Sequence, residues 1–131
     1  MTALLHAALA AAVRGHAPLG DALTATFEAP PVRAARPYAL IAEAIVTDWG
    51  AKDIAGCEAR CAIELHDGGE SPARLRALID EMAPALAAMP ATIGGGWRIV
   101  TLVPLRRRIV RARGDGWIAV AEFRVRMLRS N

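Results

Sequence analysis

The chain has 131 residues, enough for one domain with a core of its own, and 54% of them are hydrophobic against 22% charged, which excludes wholesale disorder. Alanine supplies much of that apolar content and aromatic residues only 5%, so the expected core is thin and built from Leu, Ile, Val and Met. The net charge of +3 conceals an uneven distribution: residues 97–131 hold nine arginines against Asp115 and Glu122, a local surplus of seven, while residues 1–96 sum to −4. A basic end on an acidic body suits self-association as well as polyanion binding.

Residues 1–17 are apolar and Ala-rich, but they lack a basic leader region and His6 interrupts the run. Leu5, Leu9 and Val13 recur at helical spacing, and Gly15 offers a stop. An amphipathic helix is expected here. No run approaches the ~20 apolar residues of a membrane span, and a soluble protein without membrane partners is expected.

Residues 16–37 are rich in proline and small residues, which leaves room only for a short extended piece at 23–27. Residues 38–47, YALIAEAIVT, are expected to form a strand with apolar residues on both faces, placed centrally in a sheet. The stretch 48–56, DWGAKDIAG, reads as a loop. The next segment alternates: Cys57, Ala59, Cys61, Ile63 and Leu65 on one side, Glu58, Arg60, Glu64 and His66 on the other. That is a strand with one wet face. The two cysteines would then lie roughly 13 Å apart, beyond disulfide reach, as buried thiols.

Ser71 and Pro72 open a helix over 72–89 whose apolar stripe is Leu75, Leu78, Ile79, Met82, Leu86 and Met89. Pro84 should kink or divide it, near Asp80 and Glu81. Gly94-Gly95-Gly96 precedes a strand rather than a helix, so it reads as a turn and not a phosphate cradle. A long strand from Trp97 to about Ala112, a Gly114-Asp115-Gly116 turn and a strand over 117–128 complete the chain. The expected fold is α+β: an antiparallel or mixed β-sheet with helices packed on one face, in the order α-β-β-α-β-β, ending in a long β-hairpin whose tip projects beyond the core.

Chemistry-bearing clusters are few. Cys57, Cys61 and His66 fall on opposite strand faces, which argues against zinc. His66, Asp67 and Ser71 are neighbours only in sequence. No catalytic residue, metal ligand or cofactor site is therefore expected, and a small enzyme built around His66 is the weakest reading. Arg113-Gly114-Asp115 reads as hairpin-turn chemistry rather than an adhesion signal. Consecutive strand residues alternate sides, so among Arg106, Arg107 and Arg108 at least one must face the apolar side or lie beyond the sheet. No recognition-helix pattern and no interleaved aromatics accompany the arginines, which disfavours sequence reading of nucleic acid.

Several weak signals occur in a telling order. An Ala/Leu helix precedes Arg36-Pro37-Tyr38-Ala39-Leu40, then come Asp48-Trp49-Gly50-Ala51-Lys52-Asp53, a charged strand, the 72–89 helix, and the WRIVTLVPLRRRIVR…GWIAVAEFRVRML finish. Over about residues 3–128 the chain resembles the tail-terminator, or tail-completion, proteins of long-tailed phages and phage-derived gene transfer agents. The resemblance implies a single tail-terminator-like domain over 1–131 and a homo-oligomeric, hexameric ring without catalytic residues. Such a ring ends tail-tube growth, contacts the tail tube protein and the head-completion (stopper) protein, and lets DNA pass through its lumen unread. It would assemble in the cytoplasm and then form part of a particle tail. Read with the charge asymmetry, Asp48, Trp49, Lys52 and Asp53 are the expected acidic side of a subunit contact. Arg106, Arg107, Arg108, Arg111 and Arg113 are the expected basic side. The alternative is a small nucleic-acid-binding module using the basic hairpin.

Overall fold

The computed structural model describes residues 1–130. Helix α1 (Thr2–Gly15) buries Leu5, His6, Leu9, Ala10 and Val13, the stripe its spacing dictates. His16 leaves the helical conformation, and a single turn, α2 (Ala17–Gly20), follows with Pro18 near its start. A two-residue strand, β1 (Thr26–Phe27), is held to α1 by Arg14, whose guanidinium donates to the Thr26 carbonyl at 2.6 Å.

The segment expected as one central strand is two shorter ones, β2 (Tyr38–Ile41) and β3 (Ile45–Asp48). Both pair antiparallel with β4 (Ala55–Asp67). Ile41 lies opposite Ile63 and Ile45 opposite Arg60, so the chain uses four residues where β4 uses three. One extra residue breaks the ladder and re-phases the side chains. β2 is covered by β1, but β3 has no outer neighbour among the described residues, and all four of its residues are exposed. Alternation alone cannot tell a central strand from an edge, which is why the expectation failed here.

After β4 come α3 (Ala73–Ile79) and α4 (Met82–Ala87), divided at Asp80 and Glu81. Pro84 has no N–H to offer and tolerates only the first turn of a helix, so the chain restarts just before it. The helix begins one residue later than the sequence suggests, with Pro72 at its N-cap, and the Ser71 hydroxyl accepts from the Ala73 N–H at 3.2 Å. β5 (Thr92–Gly94), β6 (Trp97–Arg111) and β7 (Trp117–Arg129) finish the sheet. Gly94, Gly95 and Gly96 all have positive φ and form the tight β5–β6 turn.

The sheet order is β1-β2-β4-β7-β6-β5, with β3 beside β4 past the end of β2, and the sheet curls into a half-barrel. β7 is central and pairs over its whole length with both β4 and β6. The hairpin therefore does not project from the core, as the sequence reading expected. Its second strand is locked between two long neighbours down to Trp117. Ala119, Ala121, Phe123, Val125 and Met127 of β7 join Cys57, Ala59, Cys61, Ile63 and Leu65 of β4 in one buried cluster with the apolar faces of α1, α3 and α4. The opposite sheet face carries the charges.

Candidate subunit interface

The Arg106–Arg108 triplet owes its placement to a bulge. β6 slips register between Pro104 and Arg106, which leaves Leu105 without a partner and sets Arg106 opposite Glu122, Arg107 opposite Ala121 and Arg108 opposite Val120. Arg106 and Arg108 consequently share the charged face with Glu122, and Arg107 points to the helix side. The Arg106 Nε donates to Glu122 at 2.7 Å, and that guanidinium holds the Glu122 carboxyl below the usual carboxylate range. Arg107 reaches Asp80, at the break between α3 and α4, at 2.7 Å. Alternation left two outcomes for the triplet, an arginine on the apolar side or a strand running beyond the sheet; the strand stays paired within the sheet, and Arg107 takes the apolar side.

Arg111 lies over the Trp117 ring, 4.8 Å from its centroid, and Arg113 is exposed beside the turn. Among the described residues, Arg108, Arg111 and Arg113 form no ion pair. The turn itself is tied back to the chain: Arg36 pairs with the Asp115 carboxylate at 3.1 Å. Gly116 has φ +103°, and a Cβ there would collide with the Asp67 carbonyl.

On the far edge, the 48–54 loop is a tight reversal closed by the Ala51–Ile54 bridge and by Trp49 N–H donating to the Gly56 carbonyl at 3.1 Å. Asp48, Lys52 and Asp53 are exposed. Trp49 is not free to grip a partner with its whole ring: Arg126 lies 5.2 Å from its centroid, and Arg126 Nε donates to Glu58 at 2.8 Å. The acidic and basic groups do not meet within the subunit. β4 and β7 lie between β3 and β6, and three strand spacings put those edges about 14 Å apart. The 48–53 loop also sits at the Ala55 and Arg129 end of the sheet, whereas Arg111 lies at the Asp67 and Trp117 end.

The remaining clusters dissolve in three dimensions. His66 stacks on Tyr38 at 4.7 Å and bonds Glu64 at 2.7 Å, on the charged face. Asp67 points inward, where Arg74 clamps it at 2.7 and 2.8 Å and the Gly68 N–H donates at 2.8 Å. Arg74 foremost holds the Asp67 carboxyl below its ordinary range. Ser71 serves the start of α3. Among the described residues no three His, Cys, Asp or Glu side chains gather as metal ligands, and no helix is long and apolar enough to cross a membrane. Burial pushes the Cys61 thiol up to about 12 and raises that of Cys57.

Sequence alone assigned no ion pair to Arg36, Asp67, Arg74 or Asp80. Counting residues back from the Gly114-Asp115-Gly116 turn would have found the Arg106–Glu122 pair, because no bulge interrupts that half of the hairpin. Nothing local announces Arg107–Asp80, which joins elements 27 positions apart.

The fold defines a small α+β protein built on one curled, mixed sheet with charged edges. The family model for tail completion protein gp17 matches residues 3–128, and the chain belongs to that family. The same fold occurs in a protein of the virion of a native gene transfer agent particle, with a TM-score of 0.77 and 24% identity over 95% of this chain and 94% of that one. It occurs again in the gp17 protein of bacteriophage SPP1, with a TM-score of 0.58 and 17% identity over 98% of this chain and 89% of that one. No curated protein sequence matches the chain.

Proposed function

We propose that this protein is a structural ring subunit, a hexamer when assembled, that terminates the tail tube of a phage or gene-transfer-agent particle and joins it to the head-completion protein. It assembles in the cytoplasm, becomes part of the tail and carries out no catalysis. DNA passes through the ring without being read. Family membership supports the tail-completion role, and one observation carries the ring: the acidic 48–53 loop and the basic β6 strand lie on opposite edges of one sheet. A surface with complementary patches on opposite sides makes heterologous, head-to-tail contacts, and these close into a ring where the rotation between neighbouring copies divides a full turn. Asp48, Trp49, Lys52 and Asp53 supply one side, and Arg106, Arg107, Arg108, Arg111 and Arg113 the other.

Light scattering after size-exclusion chromatography, with negative-stain images of particles, tests the reading. Six-fold rings are expected, and replacing Arg107 and Arg108 together by Glu should weaken them. Normal rings and full tails from that double variant would refute the charge pairing.

A second reading, binding of nucleic acid, has one observation in its favour: Arg108, Arg111 and Arg113 lack acidic partners among the described residues. Steeply salt-dependent DNA affinity of the isolated subunit would favour it.

A further inference from the structure

Two strand edges of this sheet carry unused backbone hydrogen-bonding groups. β3 pairs only with β4, and β6 beyond Ile99 pairs only with β7, because β5 covers no more than its first residues. Open edges are a standing invitation to strand pairing between chains.

The large exposed hydrophobic side chains fall on the same edges. Of six among the described residues, Ile45 (66% exposed), Val46 (39%) and Ile54 (47%) belong to β3 and its loop, and Val100 (42%) and Val110 (36%) belong to β6. Only Val32 lies elsewhere. Apolar side chains collected along an unpaired edge mark a contact surface rather than a wetted border.

Charge then selects the pairing. Residues 43–54 carry Glu43, Asp48 and Asp53 against Lys52, whereas residues 104–113 carry five arginines and no acid. β6 against β6 would oppose two arginine rows, and β3 against β3 would oppose two acidic ones. β3 against β6 matches them.

The geometry points to β-strand addition between copies of this chain: the free edge of β3 in one copy pairs with the free edge of β6 in the next, so that the sheets run on around the ring. This rests on the ring reading and adds its mode of contact, main-chain hydrogen bonds rather than side-chain charge alone.

The ladders say which backbone groups are available. The Trp49 N–H points to β4, where it meets Gly56, so Thr47 and Ile45 point there too. Those of Val46 and Asp48 face outward. On β6 the Ala112 N–H meets Gly116, which turns Val110, Arg108 and Arg106 toward β7. Arg107, Ile109 and Arg111 therefore face outward.

Val46→Pro tests this directly. It deletes one outward donor and leaves the charges and the β3–β4 ladder intact, since proline is tolerated on a sheet edge. Val46→Ala keeps the donor and controls for the side chain. Assembly of Val46→Pro should weaken on the order of tenfold relative to Val46→Ala. Hydrogen exchange of the wild type covers the case in which Val46→Pro does not fold: amides of Val46, Asp48, Arg107, Ile109 and Arg111 should be open in the monomer and protected in the oligomer. A wild-type ring in which these amides stay open, or a Val46→Pro variant that assembles as Val46→Ala does, overturns strand addition and leaves the ring standing. A wild type that forms no ring, alone or on tails, overturns both.

Discussion

The Arg107 guanidinium reaches across from β6 to Asp80, 2.7 Å away, at the point where α3 gives way to α4. Its neighbour Arg108, on the other side of the sheet with Glu122, forms no ion pair among the described residues. The two arginines thus differ in what remains for a partner. Both members of the Arg107–Asp80 pair are more than half exposed, so Arg107→Ala should cost less than about 1 kcal/mol in a denaturation experiment. Arg108→Glu should leave the melting temperature nearly unchanged yet produce most of the assembly defect seen when both arginines are reversed. Equal assembly defects from Arg107→Glu and Arg108→Glu would show that the internal pair does not divide their roles.

Acid should weaken the fold through Asp67. Arg74 depresses its carboxyl in the folded state, so the stabilisation is present above the unfolded value, about 3.9, and is lost as pH falls through the lower folded value. Glu122, depressed by Arg106, acts in the same direction. Melting temperature should therefore fall below about pH 4 in the wild type and fall less steeply in Asp67→Asn. That variant should also lose about 1–3 kcal/mol at neutral pH, because Asp67 is a buried acceptor of three hydrogen bonds. Parallel acid branches for the two proteins would remove Asp67 from the account.

The thiols should be silent in the native state. Cys57 and Cys61 are buried, and burial raises both above the ordinary thiol value, Cys61 to about 12. Thiol titration at about pH 8 should detect neither in folded protein and both in denaturant. Fast labelling of Cys61 without denaturant would contradict its packing under the helices.

Gly116→Ala should destabilise the protein by about 1–3 kcal/mol, read as a lowered urea midpoint. The residue needs positive φ, and its missing Cβ leaves room for the Asp67 carbonyl. Gly114→Ala is the useful comparison, since its φ is also positive but its surroundings are open. The difference between the two variants isolates the close approach from the backbone strain.

Much of the fold was legible in the residues themselves. Period-two alternation identified β4 and β7 and assigned their buried faces correctly, from Cys57 to Leu65 and from Ala119 to Met127. Helical spacing identified α1, and a proline predicted the break at Asp80 and Glu81. These features follow from local geometry, since a repeat of 2 or 3.6 residues and a missing N–H act within a few positions. The order of such signals was also enough to suggest the tail-completion family.

Tertiary structure alone decided which strand lies at an edge, where the arginines point and what they touch. Residues 38–47 look central by composition, yet β3 borders solvent because, among the described residues, no strand but β4 lies alongside it. The hairpin looks long enough to project, yet β4 pairs with β7 along its full length and holds it in the core. One bulge at Leu105 sets the sides of Arg106, Arg107 and Arg108. Edges, bulges and pairs such as Arg107–Asp80 depend on which distant segments lie alongside, and a chain encodes that choice only through the packing of the whole.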